Sequence, residues 1–483
     1  MPAIAALVLG IVRLPELTRS PLWYDELFSV GVAGLPFADA LRRIIADHTN
    51  PPLFYLLLKA WMAVGGESDQ WVRLLPCLFS MMLGAALVWL AREARSGVIA
   101  GMLAVALATA SPLSVDLANE VRAYSLLALL ACLSLAATLR DHTLRTRDTF
   151  ALMTLINVAL VHTHYFGWLT IAAECVVGTV WWRADGRRVL QSAGFTGLAF
   201  VPWATAVATH ALGNPAPLRN VSWITPPDAA APLWLLRDLT GRSGNTAADL
   251  AWLAFVSVAL IALAFASWRH GAQESASRNA AVSKVDTPTA NANSSSPVQG
   301  SLALLVIAGL SVPLAVWAVS VLSGHSIWVQ RYLLGAAAPV ALLTAIAIAA
   351  LPPRRWHVAA IVGLAWTAVA CGALPRRAPT KVDWRRLARR IDVSVGSPRE
   401  VFALEAFTAA PLQRYARPGM RVRIVPSLDS LPRGDAWLVY RPESFAAGSP
   451  ADALRELGLT TVAALSMATL GQKIVAVRIK PAR

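Results

Sequence analysis

The chain has 483 residues, of which 56% are hydrophobic and 15% charged, with a mean hydropathy of +0.53. A soluble domain is closer to a quarter charged, so the composition excludes a soluble globular protein and points to a polytopic α-helical membrane protein. The formal charge of +15 does not mark a nucleic-acid binder, because many arginines flank apolar segments, where they set topology and meet anionic lipid.

Apolar runs near the ~20 residues needed to cross a bilayer recur through the first three quarters of the chain. Spans are predicted near 2–17, 71–91, 97–113, 121–139, 149–164, 166–182, 189–209, 248–268, 300–322, 332–351 and 356–374, about eleven in all. The first run is short and starts almost at Met1, so it reads as a truncated span, and there is no secretory signal to discard. Between the first two spans lie two amphipathic elements. Residues 26–46 set Leu27, Val30, Leu41 and Ile44 against Asp39, Arg42 and Arg43. Residues 51–64 are apolar but short and read as an interfacial helix, with Asn50 as its cap and Pro51 in its first turn.

Residues 270–299 are rich in Ser, Ala, Asn and Thr and read as a disordered cytoplasmic linker within a membrane domain of residues 1–375. The composition then changes. Residues 376–483 mix helical patterns (Trp384–Ile391, Ala451–Leu457) with strand-like runs (Val401–Leu404, Val422–Val425, Ala436–Tyr440, Lys473–Ile479). That is a small α/β domain, on the outer face if the span count is odd. The four cysteines lie in apolar segments, with neither metal spacing nor a disulfide framework.

Basic residues recur in alternate loops: Arg92 and Arg95; Arg140, Arg145 and Arg147; Arg183, Arg187 and Arg188; Arg269, Arg278 and Lys284; Arg354 and Arg355. These loops are assigned to the cytoplasm. The first outer loop departs from the pattern, with Arg13, Arg19, Arg42, Arg43 and Lys59. With this orientation the polar clusters gather on the outer face. They are Asp25 and Glu26; His48 and Asn50; Asp116, Glu120, Arg122 and Tyr124; His162 and His164; Trp223 and Arg237; and His325, Gln330 and Arg331. Ionisable groups at or within a membrane are costly and mark functional sites.

The stretches Leu22-Trp23-Tyr24-Asp25-Glu26, Asn50-Pro51-Pro52-Leu53-Phe54-Tyr55, Arg73-Leu74-Leu75-Pro76, Ser111-Pro112 followed by Glu120-Val121-Arg122-Ala123-Tyr124, and Arg331-Tyr332 occur in this order. Together they resemble GT-C glycosyltransferases of the protein-mannosyltransferase and aminoarabinose-transferase type (glycosyltransferase family 39-like), over most of residues 1–350. The resemblance implies a multi-pass enzyme of the inner (plasma) membrane with its active site facing the periplasm or exterior. It implies transfer of a sugar from a polyprenyl-phosphate donor to an acceptor, which could be protein, lipid or glycan. By resemblance Asp25 matches the first-loop catalytic acidic residue, and Glu120 and Arg122 match the second outer loop. Some relatives carry a Lys before the paired prolines, against the donor phosphate; here that position is Asn50.

Transfer from a lipid phosphate needs a base for the acceptor proton, a cation for the departing phosphate and a groove for the lipid. Asp25 is the candidate base, with a helix N-cap as its structural alternative. Glu26 is a support or a metal ligand. Glu120 shares in acceptor or metal binding, oriented by Arg122, or the two form a plain interfacial ion pair. Asp116 is four residues from Glu120 and shares its face if the stretch is helical. Arg331 suits a phosphate, since a guanidinium forks onto two oxygens; its alternative is snorkelling at a helix end. His48, Asn50, Tyr55, Tyr124, His164 and Trp223 complete the candidate substrate-binding set, and Trp23, Trp223 and Trp328 are candidates for stacking on sugar. A divalent cation is compatible with these residues, but His162 and His164 are two apart, not an i, i+4 pair, and no metal site is assigned. There is no Walker loop, no GxGxxG opening a helix and no HExxH. The rival reading is a lipid or sugar transporter or flippase, which predicts ionisable or broken-helix features near the midplane and two repeated halves.

Overall fold

The computed structural model describes the chain except residues 214–223, 283–296, 352, 377–380, 394–398, 433, 445–449, 470–471 and 483. It opens with α1 (Pro2–Arg13), whose proline stands in the first turn, where a missing N–H costs nothing. Helix α1 lies against α5 (Asp69–Glu93), and the two backbones meet at Gly84 of α5. A Cβ there would stand 2.7 Å from the Ala5 carbonyl oxygen, so only glycine permits this approach. Gly84→Ala is expected to cost ~1–3 kcal/mol, read as a lower melting temperature in detergent. Gly197→Ala, with nothing within 4 Å, is the neutral control. Arg13, expected in a loop, is instead fully buried, donating to Ser80 Oγ at 2.6 Å and the Ala108 carbonyl at 3.0 Å.

The expected single amphipathic element at 26–46 is two helices, α2 (Tyr24–Gly34) and α3 (Phe37–Asp47). Pro36 divides them, since it forces Leu35 into an extended conformation and cannot continue a helix. Helix α3 stops at His48, in the left-handed region at φ 40°. The interfacial helix is present as α4 (Leu53–Gly65), but its N-cap is Pro52, so Asn50 lies outside it and is buried. This first-loop layer packs its apolar side (Leu22, Val30, Phe54, Leu58) onto Val72, Leu75 and Leu126 of the membrane helices and onto Val121 in a turn between two of them.

The bundle continues with α5 (Asp69–Glu93), α6 (Val98–Ala110), α7 (Pro112–Ala118), α8 (Tyr124–Leu144), α9 (Arg147–Val161), α10 (Gly167–Val177) and α11 (Arg187–Gly213). Then come α12 (Ala231–Thr240), α13 (Thr246–Val282), α14 (Pro297–Val306), α15 (Val312–Leu322), α16 (Ala337–Ala349) and α17 (Pro353–Ala373). Helix α6 breaks at Ser111-Pro112 and α7 leaves it at 65°, with Ser111 Oγ capping the new start. Among the described residues six segments are long and apolar enough to cross a membrane, or seven if the bent pair counts as one. The count of eleven is therefore not confirmed. The expected spans at 2–17, 149–164 and 166–182 are helical, but α1, α9 and α10 have 12, 15 and 11 residues. Helix α13 runs through Val282 into the stretch expected as a disordered linker; 283–296 lie outside the described residues.

One carboxylate lies within a membrane helix, apart from the polar clusters of the loops. Glu174 is buried within α10, where Ser134 Oγ of α8 donates to it at 2.6 Å and Asn157 Nδ2 of α9 at 3.2 Å. It ties three helices together through satisfied hydrogen bonds.

Beyond α17 lies the α/β domain: α18 (Trp384–Asp392), β1 (Glu400–Ala403), α19 (Ala406–Tyr415), β2 (Arg421–Ile424), β3 (Ala436–Tyr440), α20 (Pro450–Glu456), β4 (Leu459–Thr469) and β5 (Gln472–Pro481). The sheet order is β2-β1-β3-β5-β4, parallel among β2, β1 and β3 and antiparallel at β5. Both faces are covered. Val401 and Trp437 meet α18 through Trp384 and Leu387, while their neighbours Phe402 and Leu438 meet Leu454 of α20. The four expected strands and two expected helices are all present. Helix α19 and strand β4 were not expected. The first carries Pro411 in its interior, and the second is a largely exposed strand that, among the described residues, pairs only with β5.

Candidate active site

The site is assembled by α2, the turn between α7 and α8, the entry to α16, and the segment leading into α18. Its foundation is Glu26. The carboxylate is fully buried and receives Arg73 of α5 through two bonds, Nε to Oε1 at 3.0 Å and Nη2 to Oε2 at 2.7 Å. The Val121 amide donates to Oε1 at 3.1 Å and the Trp23 amide to Oε2 at 3.2 Å. Burial alone would raise this carboxyl, but Arg73, Lys381 and the Val121 amide together hold it below the ordinary carboxylate range. Arg73 spends its remaining donors on the carbonyls of Ser20 and Pro21. One buried pair thus fixes the first loop, α5 and the α7–α8 turn against each other.

With Glu26 locked, its neighbour Asp25 faces elsewhere. It lies inside the first turn of α2; the N-cap is Trp23, so Asp25 is not the capping residue. Its carboxylate is 24% exposed and stands 4.0 Å from Arg331 Nη2. Arg331 sits in the 3₁₀ turn Gln330–Ala336 that enters α16, with its guanidinium 5.9 Å from the ring centres of Trp23 and Tyr124 and 5.7 Å from that of Tyr332. Beside this pair is a cavity of about 280 Å³, walled by Trp23, Arg73, Asn119, Glu120, Arg331 and Lys381 among others.

Glu120 is buried and lines the cavity, but its partner is not Arg122. Lys381 Nζ stands 3.3 Å from Glu120 Oε1 and 3.4 Å from Glu26 Oε2. Arg122 turns the other way, its Nη1 3.4 Å from Ser29 Oγ and from Tyr55 OH, and its buried Nε meets no hydrogen-bond partner among the described residues. Helix α7 ends at Ala118, so Asp116 and Glu120 do not share a helix, although both line the cavity. His164 is buried in the turn between α9 and α10, its ring 4.9 Å from Tyr332 and 6.1 Å from Tyr124. Its Nδ1 accepts from the Phe166 amide, and its Nε2 is unpartnered among the described residues.

Other expected residues lie apart from the cavity. His48 and Asn50 are in the α3–α4 connection, and neither His48 ring nitrogen finds a partner among the described residues. His162 bonds its own helix at Val158 and His325 lies exposed. Arg237 pairs with Asp238, and Trp328 is part of the main hydrophobic core rather than a stacking platform. Trp223 lies outside the described residues. Among the described residues no cluster of three His, Cys, Asp or Glu side chains could hold a metal ion.

Two site residues were not foreseen. Arg73 stood within a recognised motif, but its role needed Glu26 as its partner. Lys381 lies over 350 positions from Glu26 in a stretch with no local signal. It is brought in by the docking of the C-terminal domain. Asp69, at the start of α5, accepts from Arg385 at 2.6 Å and Tyr415 OH at 2.7 Å, and that hydroxyl accepts from the Leu22 amide at 2.6 Å. Phe407 of α19 packs on Trp23 and Tyr24.

No protein-family model and no curated protein sequence matches the chain. Solved structures do. ArnT from Cupriavidus metallidurans in the apo state aligns over 98% of this chain and 97% of its own, with a TM-score of 0.55 at 14% identity. The same protein bound to undecaprenyl phosphate aligns over 98% and 96%, with a TM-score of 0.55 at 14% identity. The Archaeoglobus fulgidus oligosaccharyltransferase in complex with zinc and sulfate aligns over 87% of this chain and 62% of its own, with a TM-score of 0.50 at 14% identity. At such identity the likeness is one of fold. This chain is a multi-pass membrane protein with the GT-C fold that ArnT and the archaeal oligosaccharyltransferase share.

Proposed function

We propose that this protein is an integral membrane glycosyltransferase that moves a sugar from a polyprenyl-phosphate donor to an acceptor hydroxyl or amine at the outer face. The observation that carries the reading is the pairing of Asp25 with Arg331 beside a polar cavity, a base and a phosphate-binding cation within 4.0 Å. The fold it shares with ArnT, which has been crystallised with undecaprenyl phosphate, supports a lipid-linked donor.

The chemistry divides among this chain's own groups. The acceptor oxygen or nitrogen attacks the anomeric carbon, and its proton passes to the Asp25 carboxylate as the new bond forms. The bond from the anomeric carbon to the phosphate oxygen breaks with its electron pair on the phosphate, so attack opposite the leaving group inverts the centre. Arg331 receives the growing negative charge. Tyr124 packs beside Arg331 and His164 beside Tyr124, Arg122 bonds Tyr55, and Glu120 orients the acceptor. Glu26 acts as the support that keeps Asp25 in place.

Purified native chain in lipid vesicles, given labelled polyprenyl-phosphate sugars and a membrane extract as acceptor source, is expected to form a new glycosidic product. Movement of the labelled lipid across the vesicle without any such product would favour a transporter instead. Arg331→Gln is expected to raise the donor KM roughly 10- to 100-fold, the worth of a charge-assisted bond to phosphate. An unchanged KM would move the phosphate away from Arg331.

A further inference from the structure

Lys381 lies between α17 and α18, outside the residues that carry the proposed transfer, yet its ammonium is the link between two buried carboxylates. Its side chain is 18% exposed and lines the cavity, 5.6 Å from the centre of the Trp23 ring. The two carboxylates differ in their need for it. Glu26 already holds Arg73 through two bonds and two backbone amides. Glu120 has no other cation within ion-pair distance among the described residues, and it is 4% exposed. Left charged and unneutralised on this wall, it would repel any anion entering the cavity, and low local polarity would strengthen that repulsion.

We infer that Lys381 is a positioning residue of the donor site: it neutralises and orients Glu120, so that the cavity accepts an anionic lipid phosphate. The inference rests on the glycosyl-transfer reading for its substrate, but not for its electrostatics. It also gives the C-terminal domain a task. Asp383 caps α18 through the Arg386 amide at 3.0 Å, Arg385 of the same turn reaches Asp69, and Tyr415 joins Asp69 to the Leu22 amide. Lys381 is held at Glu120 because the domain is fastened to the start of α5 only a few residues away. The α/β domain is therefore part of the donor site.

The test uses purified full-length protein with two readouts: transfer kinetics on a labelled polyprenyl-phosphate sugar, and equilibrium binding of a short-chain polyprenyl phosphate that carries no sugar. Lys381→Met is expected to weaken phosphate binding and raise the donor KM on the order of tenfold, a usual coupling between neighbouring charges, with a smaller change in kcat. Lys381→Arg is expected to retain most of the affinity. The double variant Glu120→Gln with Lys381→Met is expected to bind the phosphate as well as Glu120→Gln alone, because no bare carboxylate remains. Native-like binding by Lys381→Met overturns the inference. So does a double variant weaker than Glu120→Gln alone, and this comparison holds even if the single lysine variant fails to fold. Should native protein show no transfer while phosphate binding follows the expected pattern, the role of Lys381 stands and the transferase reading falls.

Discussion

Asp25→Asn is expected to leave the protein folded and reduce sugar transfer by about 10²- to 10⁴-fold, the usual worth of a positioned general base. Asparagine matches the carboxylate in shape but cannot take the acceptor proton. The fold has little stake in the charge. Asp25 is a quarter exposed, its nearest cation is 4.0 Å away, and pairs of that kind contribute about 0–1 kcal/mol. The measurement is product formation from a labelled polyprenyl-phosphate sugar, beside melting temperatures of both proteins in the same detergent. Native-like transfer by the variant would remove Asp25 from the mechanism. Equal loss of transfer and of melting temperature would reassign it to structure.

The adjacent carboxylate is expected to behave in the opposite manner. Glu26→Gln removes the counter-charge from a fully buried pair and turns one of the two oxygens that accept from Arg73 into an NH2 donor, leaving the guanidinium with neutral acceptors alone. Breaking a buried pair from one side costs about 3–5 kcal/mol, so the melting temperature should fall markedly and the first loop should become open to protease. Replacing both partners with apolar residues, Glu26→Leu with Arg73→Met, is expected to recover much of that loss, since neither charge is stranded. A single variant as stable as the native chain would contradict the keystone role. The pH dependence has a defined sign. The folded pKa of Glu26 lies below its ordinary value, so its contribution is present in full above ~4.3 and disappears as the pH falls through the lower folded value. Loosening of the first loop is therefore an event of acid solution, absent near neutrality.

These two residues, neighbours in sequence, show where reading the chain alone runs out. The pair of carboxylates was visible as a functional cluster, but a helix turns about 100° per residue, so Glu26 points into the protein and Asp25 toward Arg331, which lines the cavity. Which is which depends on where Arg73 and Val121 stand. Likewise the second-loop pair Glu120 and Arg122 suggested a mutual ion pair. In the fold Glu120 meets Lys381 while Arg122 meets Ser29 and Tyr55.

The amino-acid order alone determined the membrane class, the course of most apolar helices, the amphipathic first loop and the strand-like runs of the C-terminal domain. These are local signals: the length and periodicity of an apolar stretch mark a helix, and a short apolar run marks a strand buried on both faces, whatever lies opposite. The tertiary structure alone decided the charge partners. The ion pairs of the site join groups tens to hundreds of positions apart, Glu26 with Arg73, Asp25 with Arg331 and Glu120 with Lys381, and no local pattern encodes which cation reaches which of these carboxylates. Lys381, carried to Glu120 by a domain fastened to Asp69, is the plainest instance: its position is a consequence of docking, and docking is a property of the whole chain.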